Sequence, residues 1–237
     1  MEPASGAGAQ AYYAESAERL ATVYESLSFE SVHGALLDLL PEPPARVLDV
    51  GAGTGRDAAA LAGRGFTVDA VEPVTELRSV AQRLHQGTGV TWRADALPAL
   101  HGVQGPYDVV LLSAVWMHLG PEERPVAMRR LAGLLAPGGT LLITLRRGEP
   151  PAGRRMFDIP PEEVAGHGSE AGLTPLRLVD EGDDRLGREA VRWNSVALRK
   201  ERASRPPGEA VSPPTRPAPA ADPRPGLPDP RRRPTGG

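Results

Sequence analysis

Residues 46–62 read R-V-L-D-V-G-A-G-T-G-R-D-A-A-A-L-A, and this stretch restricts the chain to very few folds. Val47, Leu48 and Val50 make a short apolar run of the kind that fills a buried parallel strand. Gly51, Gly53 and Gly55 follow at once, and Asp57 to Ala62 read as the first turns of a helix. Strand, glycine turn and helix together open a doubly wound α/β domain. Glycine is needed there because the chain reverses tightly and a ligand must approach backbone that carries no Cβ.

The glycine spacing narrows the ligand. A dinucleotide turn runs G-x-G-x-x-G and would put glycine at position 56, where this chain has Arg56. Asp49 lies inside the strand, two residues before the first glycine. A carboxylate there repels a pyrophosphate and suits a cationic ligand. S-adenosylmethionine carries a sulfonium and an ammonium and no phosphate. The string V-L-D-V-G-A-G-T-G resembles the first motif of class I S-adenosylmethionine-dependent methyltransferases. The resemblance implies that Gly51, Ala52, Gly53, Gly55 and the adjoining Arg56 pack under the methionine part of that cofactor, with Asp49 lining the pocket.

The chain has 237 residues, enough for one full domain and extras. Its net charge of −3 argues against a body built to coat nucleic acid. It has no cysteine, and its five histidines (33, 85, 101, 118 and 167) lack ligand spacing, so no metal site is expected. Neither a signal peptide nor a membrane span is legible, and a soluble cytoplasmic protein is the expectation. Composition breaks near residue 203: 11 of the 26 prolines fall in the last 35 residues, which lack aromatics, isoleucine and methionine. Such a segment cannot offset its ordering entropy, and 203–237 is expected to be a disordered Pro/Arg-rich tail.

Before the first strand, 9–25 and 29–40 have helical periodicity, and Pro41, Pro43 and Pro44 end the second helix. They resemble the N-terminal cap that small class I methyltransferases lay over their cofactor, which makes Tyr12 or Tyr13 a candidate for ligand contact; packing alone is the other reading. The expected organisation is a cap at 1–44, a cofactor-binding domain at 45–202, and the tail.

Residues 66–71 alternate as a second strand and end on Glu72-Pro73. An acidic side chain at that tip can accept both ribose hydroxyls, for an adenosyl ribose as for a dinucleotide. His85 ends the helix at 75–86, where a cation suits the macrodipole, and is read as a surface residue. Residues 90–94 read as a third strand. The resemblance implies that Asp95 takes the adenine amino group while the Ala96 amide faces the ring. Residues 107–113 form a fourth strand that runs straight into S-A-V-W-M-H-L. Ligands sit outside the carboxyl ends of such strands, which puts Ser113, Ala114 and Val115 at the mouth of the site. That segment resembles small-molecule methyltransferases and lacks the Asn/Asp-Pro-Pro-Tyr/Phe of DNA and glutamine methyltransferases.

His118 is the candidate general base, since an imidazole near pKa ~6.5 takes a proton at neutral pH; a structural histidine beneath the cofactor is the competing reading. A helix at 122–136, stopped by P-G-G, leads to a fifth strand at 140–145. Arg146, Arg147, Arg154 and Arg155 follow, either as a solvated loop or as selectors of an anionic acceptor. Residues 173–179 and 189–199 resemble the sixth strand and the antiparallel seventh that close the family's sheet. The expectation is thus a Rossmann-like, seven-stranded, mostly parallel sheet with a helical cap. The expected activity is methyl transfer to a small molecule. Alternatives are a protein or RNA acceptor, a non-catalytic cofactor-binding module, and a nicotinamide oxidoreductase, which Asp49 and Arg56 disfavour.

Overall fold

The computed structural model describes residues 7–150 and 154–202. The described residues fall within one compact unit. The expected tail at 203–237 lies wholly outside the described residues.

Seven strands form one sheet in the order β3-β2-β1-β4-β5-β7-β6. They are β1 (Arg46–Val50), β2 (Thr67–Val71), β3 (Thr91–Arg93), β4 (Tyr107–Ser113), β5 (Leu135–Arg147), β6 (Leu173–Asp183) and β7 (Arg192–Lys200). Pairing among β1 to β5 is parallel, and β7 runs antiparallel to both β5 and β6. The expected doubly wound sheet with an antiparallel last strand is therefore present.

The central strands are apolar on both faces, and period two sorts their side chains. Val47, Val109, Leu111, Leu142 and Ala197 join one core layer with Phe29 and Leu61. Leu48, Val50, Val110, Leu112, Ile143 and Val196 join the other with Trp116, Met128 and Leu131. Helix α4 (Arg56–Gly63) covers the first layer, and α6 (Glu123–Leu134) and α7 (Pro161–Glu170) cover the second. The carboxyl ends of β1 to β5 all point to one edge, which is where a doubly wound sheet binds ligands.

Three expectations need correction. The single helix at 9–25 is two: α1 (Ala7–Glu15) and α2 (Ala17–Tyr24), broken at Ser16. Only Phe29–His33 of the second predicted helix is α-helical (α3), and Gly34–Leu39 tightens into a 3-10 turn. The sixth helix stops at Leu134, and P-G-G lies within β5. Tyr107 pairs with Leu135 there, and a register shift before Val109–Thr140 absorbs the glycines. Among the described residues no helix is long and apolar enough to cross a membrane.

Candidate active site

A cavity of about 310 Å³ lies at the carboxyl edge of the sheet. Its floor is the turn after β1. The N–H groups of Gly51 and Ala52 donate to the Val71 carbonyl at 2.8 and 2.9 Å, folding the chain back over β2. Gly51 has φ +72°, and a Cβ there would stand 2.5 Å from Val115 Cγ2. Gly53 has φ +57° and nothing within 4 Å of where its Cβ would be, so the backbone lies open towards the cavity.

Two carboxylates face this loop. Glu72, at the tip of β2 and 4 % exposed, accepts from Gly53 N–H at 2.9 Å and Val74 N–H at 2.8 Å. Burial pushes its pKa up, against the lowering by those two amides and Arg78. Asp49 is 1 % exposed, and neither of its oxygens has a hydrogen-bond partner. Burial, then the negative charges of Asp57 and Glu72, raise its pKa well above the usual carboxylate range, with Arg56 and the nearby Ala58 amide opposing. A buried carboxylate without a partner is costly unless a ligand supplies one. Asp95, after β3, also lines the cavity, and its two oxygens accept from Ala96 N–H at 2.8 Å and Gly102 N–H at 2.7 Å.

Of the residues singled out in the sequence, Asp49, Gly51, Ala52, Gly53, Arg56, Glu72, Pro73, Asp95, Ala96, Ser113, Ala114, Val115 and His118 line this cavity. Gly55 does not. It turns away with φ +90°, and a Cβ there would meet Trp92 and His85 at 2.7 and 2.8 Å. His85 is accordingly no surface residue: its side chain is 15 % exposed and lies 3.4 Å from Glu25 Oε1. Arg56 is committed elsewhere, clamping Asp57 through Nε and Nη2 at 2.7 and 2.9 Å. Asp57 also meets His33 Nε2 at 2.9 Å. Burial would raise the Asp57 pKa, but His33 and Arg56 hold it far below the usual range.

The opposite wall begins where β4 ends. Ala114 adopts a left-handed φ of 57°, with its N–H held by the carbonyl and hydroxyl of Thr144 at 3.2 and 3.1 Å. This turns Val115 over Gly51 and starts the 3-10 turn Trp116–His118. His118 Nδ1 lies 3.1 Å from the Arg155 carbonyl, an acceptor only, so Nδ1 carries the proton. Its Nε2 lies 3.1 Å from the Tyr13 hydroxyl and accepts from it. Burial and the Arg154 charge lower the His118 pKa, against the Arg155 carbonyl. Burial raises that of Tyr13.

Sequence reading missed the segment between β6 and β7, read only as a turn. Asp184, Arg185, Leu186 and Arg188 line the cavity, joined by Trp193 from β7. Asp184 organises them, accepting from Arg188 Nη2 at 2.6 Å and Trp193 Nε1 at 2.8 Å. Arg146, Arg154 and Arg155 also line the cavity, whereas Arg147 turns away to Asp158 at 2.6 Å.

Residues 24–175 match the model of a methyltransferase domain family. A ubiquinone biosynthesis O-methyltransferase of Xanthomonas campestris is 38% identical over 114 residues, 46% of this chain and 46% of that protein. The chain spans about half the length of the curated relatives it matches. Among solved structures, a Burkholderia thailandensis 1,6-didemethyltoxoflavin-N1-methyltransferase with bound S-adenosylhomocysteine superposes with a TM-score of 0.68 at 23% identity, covering 85% of this chain and 92% of that one. A [4+2]-cyclase, SpnF, superposes at 0.64 with 15% identity, covering 85% and 98%. At those identities the likeness is one of fold, and one fold hosts different reactions.

Proposed function

The chain belongs to the methyltransferase domain family, and from that premise we propose that it transfers a methyl group from S-adenosylmethionine to an oxygen, nitrogen or carbon nucleophile of a small molecule. The observation that carries the reading is the partnerless, buried Asp49 carboxylate beside the open backbone of Gly53. A cationic ligand without phosphate answers both features. In this reading Glu72 accepts from the ribose hydroxyls and Asp95 from the adenine amino group, and the Ala96 amide, which donates to Asp95 Oδ1 in the ligand-free fold, turns to the ring when the cofactor binds. When bound, S-adenosylmethionine supplies a methyl carbon already activated by its sulfonium.

The chain's own residues then position the nucleophile, exclude water and remove a proton. His118 is the base in this reading, and it works through Tyr13. Both ring nitrogens are engaged, Nδ1 by the Arg155 carbonyl and Nε2 by the Tyr13 hydroxyl, and Tyr13 and His118 both line the cavity. A proton leaving the acceptor passes to the Tyr13 oxygen as the phenolic proton moves to Nε2. The Arg155 carbonyl accepts from Nδ1–H throughout and steadies the imidazolium that forms. The lowered His118 pKa keeps the ring neutral and able to accept at neutral pH.

Calorimetry with S-adenosylmethionine and S-adenosylhomocysteine, beside an Asp49→Ala variant, tests the cofactor. Micromolar binding that the variant loses supports the reading. A folded wild-type chain that binds neither would sink it.

A further inference from the structure

The arginines around the cavity are not equally provided for. Arg188 is held by Asp184, Arg185 by Glu181 and Arg56 by Asp57. Arg146 and Arg154 line the same cavity and form no ion pair among the described residues. Arg146 is 8 % exposed; its Nη1 and Nη2 donate to the carbonyls of Gly148 and Glu149 at 3.2 and 3.0 Å, and its Nε has no partner. Arg154 donates through Nη2 to the Tyr12 hydroxyl at 2.5 Å and lies 4.1 Å from that ring's centroid, and its Nε also lacks a partner.

Neutral carbonyls and a phenol do not cancel these charges. Burial, followed by the charges of Arg188 and Arg154, lowers the Arg146 pKa. Burial would raise that of Tyr12, but Arg154 and Arg19 outweigh it and bring it down to about 8, so the phenol remains mostly protonated at pH 7. Arg146 is buried and Arg154 half-buried, and Asp184, the carboxylate whose charge acts on Arg146, is already clamped by Arg188 and Trp193; cations so placed are answered by ligands that carry the opposite charge. Met156, Leu186 and Trp193 line the cavity too and offer apolar surface.

We infer that Arg146 and Arg154 form an anion subsite for the methyl acceptor, and that the acceptor is a small apolar molecule bearing a carboxylate or phosphate group. The inference rests on the methyltransferase reading for the word acceptor, while the anion subsite itself is measurable without it. The planar guanidinium favours bidentate oxyanions, which carboxylates and phosphates both present.

The test is calorimetry on the full chain, with and without saturating S-adenosylhomocysteine. The probes are benzoate and phenyl phosphate, set against benzamide and benzylamine. The expected result is that an anion binds at least about tenfold tighter than benzamide, the worth of one charge-assisted hydrogen bond. The order of benzoate and phenyl phosphate then distinguishes a carboxylate from a phosphate acceptor. Arg154→Met, a change at a partly exposed side chain, should weaken anion binding by about tenfold or more while S-adenosylhomocysteine affinity stays within about twofold. Arg146→Met is the second variant, with the same expectation. Anion binding no tighter than benzamide binding overturns the proposal, as does anion affinity untouched in both variants. Anion binding in a chain that does not bind S-adenosylhomocysteine leaves the subsite standing and removes the methyltransferase reading.

Discussion

The two halves of the cavity are built differently. Under the ends of β1, β2 and β3 it is acidic, with Asp49, Glu72 and Asp95, and much of its shape is backbone. Beyond β5 and the β6–β7 connection it is basic, with Arg146, Arg154, Arg155, Arg185 and Arg188, and it is made of side chains. On the acidic half, glycine torsions and amides donated to Glu72 set the geometry. On the basic half, long side chains from distant segments meet around Asp184 and Tyr12. Strand order keeps the two sets apart, and in each the minority charge is paired: Arg56 with Asp57, and Asp184 with Arg188. A backbone-built half fits one invariant ligand, whereas a side-chain-built half is free to change its ligand as its loops change.

That contrast can be broken by experiment. The largest effect is expected from Glu72→Ala, which removes two charge-assisted bonds from backbone amides as well as the ribose acceptor. Calorimetry should show S-adenosylhomocysteine affinity falling roughly 10²-fold or more, with benzoate affinity in the free protein little changed. Equal losses on both ligands would mean that the halves are not separate.

Tyr13→Phe comes next. Once an acceptor is in hand, initial rates should fall roughly 10²-fold with cofactor affinity retained. A rate that survives would remove Tyr13 from the proton path. In the wild type the acid limb of the rate should lie below the ordinary imidazole range, because burial lowers the His118 pKa. The same shift makes His118 a contributor to stability that is complete above the unfolded imidazole value and is lost as pH falls through the folded one.

A smaller effect concerns Asp49. Burial favours its protonated form in the ligand-free fold, and the cationic cofactor favours the ionised one. S-adenosylmethionine affinity should therefore rise with pH between the ordinary carboxylate value and the raised one, by at most about tenfold per unit. Binding enthalpies in buffers of differing ionisation heat should report proton release, and Asp49→Asn should abolish it. Smallest of all, ending the chain after Arg202 should leave both affinities within about twofold. A lost acceptor affinity there would revive the protein or RNA acceptor.

The acidic half was legible in the sequence because each of its elements is local: a strand, its glycine turn, and an acid at the tip of the next strand. Only Gly55 was misplaced, since spacing marks a turn but not which of its residues turn towards the ligand. His85 was misjudged because helix position says nothing of Glu25 and Trp92 arriving from elsewhere. The basic half was half-read. Arg146 and Arg154 stand close in sequence to a recognisable strand end. Asp184 to Arg188 reach the cavity only through the pairing of β6 with β7, where a register shift between Asp180 and Gly182 reshapes the connection. A string of acids and glycines does not encode that pairing. The length of β5 was hidden for a related reason, because P-G-G reads as a stop when the bulge that accommodates it is unseen.

Val115 leans on Gly51, and at Gly51 there is no room for even one more carbon. The glycine floor of the acidic half and the wall that follows β4 are therefore in direct contact, and that wall carries His118 three residues on. Between the glycine turn and His118 stand Val115, Trp116 and Met117, and the last two are fully buried. The consequence is steric: a side chain at position 51 would displace Val115 and, with it, the start of the turn Trp116–His118, whose last residue lines the cavity.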